Sequence, residues 1–180
     1  MSVIAVVFPN VMRTVYDMRL RSAAGDLSGM MQQARIQAAR QNATYPIKFT
    51  TDGGAQAACI DLNINGTCDT GEAVVTFSSG IAPASGPPNG SGGQPAAYVL
   101  VGDSGTGAYD NTNTLAFSPR GLPCNYDTTT TPATCTTPSG KYFVYYLTQT
   151  RPLGPSGWAA VLVTKGGRTR AMLWNGTAWY

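Results

Sequence analysis

Between Leu20 and Ala38 an apolar side chain recurs at steps of four, three, four, three and four, through Leu20, Ala24, Leu27, Met31, Ala34 and Ala38. That rhythm is one face of an α-helix. Arg19, Arg21, Asp26, Gln32, Gln33, Arg35, Gln37 and Arg40 fall largely off the stripe and are expected in solvent. Upstream, Ser2–Phe8 is nearly all apolar and is followed by Pro9, so the helix is predicted over residues 2–41. Asn42 and the Tyr45-Pro46 pair end it, because the residue before a proline is pushed out of the α region. Nothing after this segment reads as helix. The stripe needs a cover, and only the β-rich remainder of the chain can supply one.

The 180 residues amount to one domain with an extension, or one largish domain. Only 12% of them are charged, about half the usual share. The 21 glycines and 12 prolines, with many Thr, Asn and Ser, point to turn-rich β structure. The net charge of +3 is unevenly spread. No acidic residue follows Asp127, whereas Lys141, Arg151, Lys165, Arg168 and Arg170 all do, so the C-terminal third is a positive surface.

Four cysteines form two close pairs, Cys59/Cys68 and Cys124/Cys135. Three connectivities are open, of which local pairing is the simplest, since each pair brackets a turn-rich loop. Zinc fits poorly, because eight and ten residues intervene and the chain has no histidine. Disulfides imply an oxidising compartment such as a periplasm or the cell exterior. The apolar run at Ser2–Phe8 is too short to cross a bilayer, which takes about 20 residues. It also lacks the basic start and small-residue cleavage site of a signal peptide.

Strands are predicted at Tyr45–Thr51, Ala57–Leu62, Ala73–Ser78, Tyr98–Val101, Thr114–Ser118, Tyr142–Thr148, Trp158–Thr164 and Arg168–Trp174. Lys165-Gly166-Gly167 joins the last two as a hairpin. Ile81–Pro95 and Leu122–Gly140 read as loops, the second rich in Thr and Pro and spanned by the second cysteine pair. The fold class is α+β, a long N-terminal helix packed on an antiparallel β-sheet head.

Several stretches resemble the GspH/FimT pseudopilins. They are the apolar head with Pro9, the run from Leu27 to Asn42 with the strand after it, Leu115-Ala-Phe-Ser-Pro-Arg-Gly121, and the terminal Gly-Gly-Arg-Thr-Arg hairpin. The resemblance implies a pilin-like fold whose apolar helix anchors in the inner membrane and later packs in a filament core. On that basis residues 1–20 are expected to be a remnant of the membrane and filament-core helix. Residues 21–180 are expected to be the globular head, helical over 21–42 and β-rich over 43–180. A processing motif ending in Gly, then Phe and a glutamate five residues into the mature chain, is expected upstream, which makes Met1 a misplaced start. The partners implied are other pilins or pseudopilins of the filament, and the inner membrane through the upstream part of the helix. The head would be periplasmic and then extracellular in the assembled pilus.

Two local patterns stand out. Asp61, Asn63, Asn65, Asp69 and Glu72 occupy positions 1, 3, 5, 9 and 12 of a twelve-residue stretch with Gly66 at position 6. That is the spacing of a calcium loop, although its flanks read as strands and Cys68 replaces the usual apolar residue. The other reading is an Asx-rich turn whose side chains bond their own backbone, closed by a disulfide. Calcium at this loop is the one cofactor in question.

The second pattern is Gly167-Arg168-Thr169-Arg170, preceded by Lys165. Arginines two apart on a strand point to one face, and a pair of guanidinium forks suits phosphate oxygens. Trp158, Trp174, Trp179 and Tyr180 lie nearby in sequence, where they would stack on exposed bases. The pattern is close to the Gly-Arg-x-Arg motif associated with DNA capture by FimT-type minor pilins in natural transformation. The resemblance makes Arg168 and Arg170 contacts for double-stranded DNA, with Lys165 beside them. The competing reading is an edge strand whose charges block edge-to-edge pairing. Catalysis finds no footing, since the chain has no histidine, no Gly-x-Ser-x-Gly elbow and no phosphate-binding glycine loop ahead of a helix. Three functions are left: a DNA-capturing minor pilin, a structural pseudopilin of a type II secretion system, and a calcium-dependent adhesin or scaffold resting on Asp61–Glu72.

Overall fold

The computed structural model describes residues 4–84, 88, 108–109, 114–130, 133–137, 142–152 and 154–180. The stripe forms as its period requires. Helix α1 runs Ile4–Gln41, and Leu20, Ala24, Leu27, Met31, Ala34 and Ala38 are all buried, joined by Ala23 and Met30. Asn42, at φ 51°, takes the left-handed conformation that closes many helices, and the Ala43 N–H reaches back to the Ala38 carbonyl at 3.1 Å. Arg40 in the last turn meets the negative end of the helix dipole. Ahead of the core, Val11, Met12, Val15 and Met18 are exposed. Among the described residues, no helix is long and apolar enough to cross a membrane.

Eleven strands follow among the described residues: β1 (Tyr45–Asp52), β2 (Ala55–Ile60), β3 (Val74–Thr76), β4 (Ile81–Ala84), β5 (Ala108–Tyr109), β6 (Leu115–Phe117), β7 (Pro123–Asp127), β8 (Thr134–Thr136), β9 (Tyr142–Gln149), β10 (Gly157–Thr164) and β11 (Thr169–Leu173). One sheet has the order β3-β2-β1-β6-β7-β8, the other β11-β10-β9-β4, with β5 alongside β9 in parallel. All other pairings are antiparallel, so the molecule is α+β with α1 laid across two sheets. The predicted strand at Tyr98–Val101 lies outside the described residues.

Strands β9 and β10 are buried on both faces, which is why they read as near-continuous apolar runs. Phe143, Tyr145, Leu147, Ala159, Val161 and Val163 join the core under α1. The alternate residues Val144, Tyr146, Ala160 and Leu162 form a second cluster on the outer face with Met172.

Three expectations need correcting. Ile81–Ala84, the start of a predicted loop, is a strand. It ends its sheet in the strand order, where Pro83 is tolerated because an edge does not need every N–H. Pro123–Asp127 and Thr134–Thr136, inside the second predicted loop, form a hairpin carried by Cys124–Cys135. Gln32, Arg35 and Gln37 are half-buried and not fully solvated. Both cysteine pairs close locally, Cys59 to Cys68 and Cys124 to Cys135, with Cα–Cα distances of 5.8 and 5.4 Å.

Candidate functional site

Arg35 projects from α1 between two turns that share one design. In the first, Lys165-Gly166-Gly167 joins β10 to β11. The Gly167 N–H donates to the Thr164 carbonyl at 2.7 Å, the Thr164 N–H to the Arg168 carbonyl at 2.9 Å, and Gly167 has φ +76°. In the second, Pro119-Arg120-Gly121 joins β6 to β7. The Gly121 N–H donates to the Ser118 carbonyl at 2.8 Å, the Ser118 N–H to the Leu122 carbonyl at 2.9 Å, and Gly121 has φ +69°. Each is a three-residue hairpin loop with glycine at the left-handed position.

The Arg35 guanidinium donates from Nε to the Gly121 carbonyl at 3.0 Å and from Nη1 to the Gly167 carbonyl at 3.2 Å. One planar fork thereby fixes both turns to the helix. A Cβ on Gly167 would stand 3.0 Å from both Arg35 Nε and the Gly121 oxygen, so the turns are in close contact.

Alternation along β11 then sorts its side chains. Thr169 faces α1, where its hydroxyl shares a 2.7 Å hydrogen bond with Ser28 and accepts one from Gln32 Nε2 at 2.9 Å. Gln32 also donates to the Gly167 carbonyl at 3.3 Å. With Thr169 held inward, Arg168 and Arg170 turn outward and are both exposed. Lys165 sits half-buried at the turn, and the exposed Arg120 occupies the neighbouring one.

The three residues singled out from the sequence, Lys165, Arg168 and Arg170, are thus brought together. The reading of the sequence did not pick Arg120 as part of this surface, nor Arg35 as its staple. The signal for Arg120 was the Ser-Pro-Arg-Gly turn, which has the same terminal glycine as the Lys-Gly-Gly turn; Arg35 had no such local signal, its partners being 86 and 132 residues away.

The loop from Asp61 to Glu72 closes on itself. Asp61, fully buried, accepts the Asn65 and Gly66 N–H groups at 3.2 and 2.8 Å. Glu72 accepts the Leu62 N–H at 2.7 Å through one oxygen and the Asp69 N–H at 2.9 Å through the other. Asp69 takes the side-chain amides of Asn63 and Asn65 at 2.7 and 2.6 Å. Those two amides, Asn63 first, hold the Asp69 carboxyl below its usual value, against a smaller opposing effect of desolvation and with the least help from Thr67. The oxygens that a calcium ion would take already accept N–H groups of the loop. Among the described residues, no group of three or more acidic or cysteine side chains is placed to hold a metal.

The family of type II transport protein GspH matches residues 23–167, from the middle of α1 to the hairpin turn. The chain belongs to the GspH family. It is accordingly a pilin-like subunit, a pseudopilin or minor pilin, and its partners are other such subunits of a filament. The GspH match stops at Gly167, so Arg168 and Arg170 lie just beyond it. No curated protein and no solved structure matches the chain.

Proposed function

We propose that this member of the GspH family is a FimT-type minor pilin that binds DNA through the β10–β11 hairpin and serves its uptake in natural transformation. The observation that carries this reading is the outward pair Arg168 and Arg170, held on one face of a hairpin whose own backbone is stapled by Arg35 and Gln32. Two guanidinium groups carried on a fixed backbone present forked donors to phosphate oxygens with no backbone ordering left to do on binding. Lys165 and Arg120 add charge on the two turns, and no acidic residue follows Asp127 to offset it. Phosphate contacts orient a protein on DNA without reading bases, so binding is expected to be indifferent to sequence.

On this reading the head is periplasmic and, in an assembled pilus, outside the cell. The two disulfides suit both compartments. The direct test is binding of labelled duplex DNA to the chain and to the Arg168→Ala/Arg170→Ala variant at low salt. The reading requires that the wild type bind and the variant bind much less. Equal binding, or none by either, would favour a structural pseudopilin of type II secretion.

A further inference from the structure

The outer face of β11 continues beyond its arginines. Leu173 belongs to the core under α1 and Met172 to the outer cluster. By the same alternation Arg168, Arg170, Met172 and Trp174 share the outer face. At the Trp174 end the backbone is fixed, since the Trp174 N–H donates to the Trp158 carbonyl at 3.0 Å. Leu173 and Tyr180 also exchange hydrogen bonds in both directions. Trp174 packs on Trp179 with ring centroids 5.3 Å apart, and Trp179 packs in turn on Tyr146 at 6.1 Å.

A cavity of about 390 Å³ lies at this end of the sheet, lined by Trp158, Trp174 and Tyr180 together with Arg13, Asp17 and Arg151. The Arg151 side chain is only 7% exposed and pairs with Asp17, while its Nε has no hydrogen-bond partner among the described residues. Arg13 and Arg151 line it beside the one carboxylate side chain, Asp17. Aromatic walls with guanidinium groups beside them suit a flat, polarisable ring attached to an anion.

We propose that this cavity is a base-binding subsite of the DNA surface and that the preferred ligand is single-stranded. This rests on the phosphate-binding reading of Arg168 and Arg170. A strand lying on those arginines would place an unstacked base against Trp158, Trp174 and Tyr180, with Arg13 near its phosphate. Trp174 lies four residues beyond Arg170, about 13 Å at ~3.3 Å per residue. A duplex keeps its bases stacked and paired, so it gains the phosphate contacts alone.

The test compares a labelled oligothymidylate with a labelled duplex of equal length at one salt concentration, using the 180-residue chain. The protein is taken as wild type, Trp174→Leu/Tyr180→Leu, Trp174→Phe and Tyr180→Leu alone. The single strand should bind more tightly than the duplex and quench tryptophan fluorescence. The double change should weaken single-strand binding about 5- to 150-fold, the range that loss of base stacking gives, and leave duplex binding unchanged. Trp174→Phe should keep most of the single-strand advantage. Tyr180, 56% exposed, provides a milder change, expected to lower single-strand binding in the same direction without loss of folding. If the wild type binds strand and duplex equally, or the aromatic changes weaken both alike, the subsite falls while the phosphate reading stands. If the wild type binds neither, both fall.

Discussion

Two residues decide whether the basic hairpin exists as a surface. Gly167 is required for reasons of space and conformation together, since its φ of +76° is costly for any other residue and a Cβ would meet the Gly121 carbonyl at 3.0 Å. Gly167→Ala should therefore lower stability by about 1–3 kcal/mol, read as a lower melting temperature. DNA affinity should fall as well, although no charge has been removed; an unchanged melt would show that the close approach of the turns is not needed. Arg35 acts from the other side of the same junction. Arg35→Ala should cost about 1.5–3 kcal/mol, the range for hydrogen bonds from a charged donor. Arg35→Lys should recover only part of it, because one ammonium cannot serve both carbonyls in the geometry of a fork. A lysine as good as the arginine would contradict the staple.

At the scale of elements, α1 was legible because its burial follows a single period and depends on nothing distant. All six stripe residues enter the core. Strands β9, β10 and β11 were legible for a similar local reason, and that Arg168 and Arg170 share one face followed from their spacing. Strands β4, β7 and β8 were not. Pro83 in β4 and the threonines around Cys135 in β8 carry turn chemistry that these edge strands tolerate, and β7, inside its sheet, starts on a proline, Pro123. The role of Arg35 was hidden for another reason, since its partners lie 86 and 132 residues away and no local pattern reports them.

The loop from Asp61 to Glu72 poses a question that spacing alone leaves open. Its oxygens fall at calcium-loop positions, yet they bond the loop's own N–H groups. We expect a chelator to leave the melting temperature unchanged and added calcium not to raise it. A bound ion at a hundredfold over its dissociation constant would add about 2.7 kcal/mol, so a clear rise would support the calcium reading. The depressed Asp69 carboxyl also sets a direction. Its contribution is present above the usual 3.8 and is lost as pH falls from there through its lowered folded value, so the loop should loosen progressively over that acid range.

For the whole molecule, family membership and surface answer different questions. Membership in the GspH family makes the chain a pilin-like subunit with like partners. Val11, Met12, Val15 and Met18 on α1 are exposed ahead of the head's core. What this subunit presents outward is set by β11, beyond the matched region. Its central feature is two arginines aimed the same way by a threonine held between them.

The salt dependence of duplex binding tests this most directly, because it counts the phosphates neutralised without regard to sequence. The slope of log affinity against log salt should be shallower for Arg168→Ala/Arg170→Ala than for the wild type by about 1.8, from ~0.9 for each phosphate no longer neutralised. Equal slopes for the two proteins would mean that Arg168 and Arg170 do not touch DNA, and the hairpin would not be a DNA-binding surface.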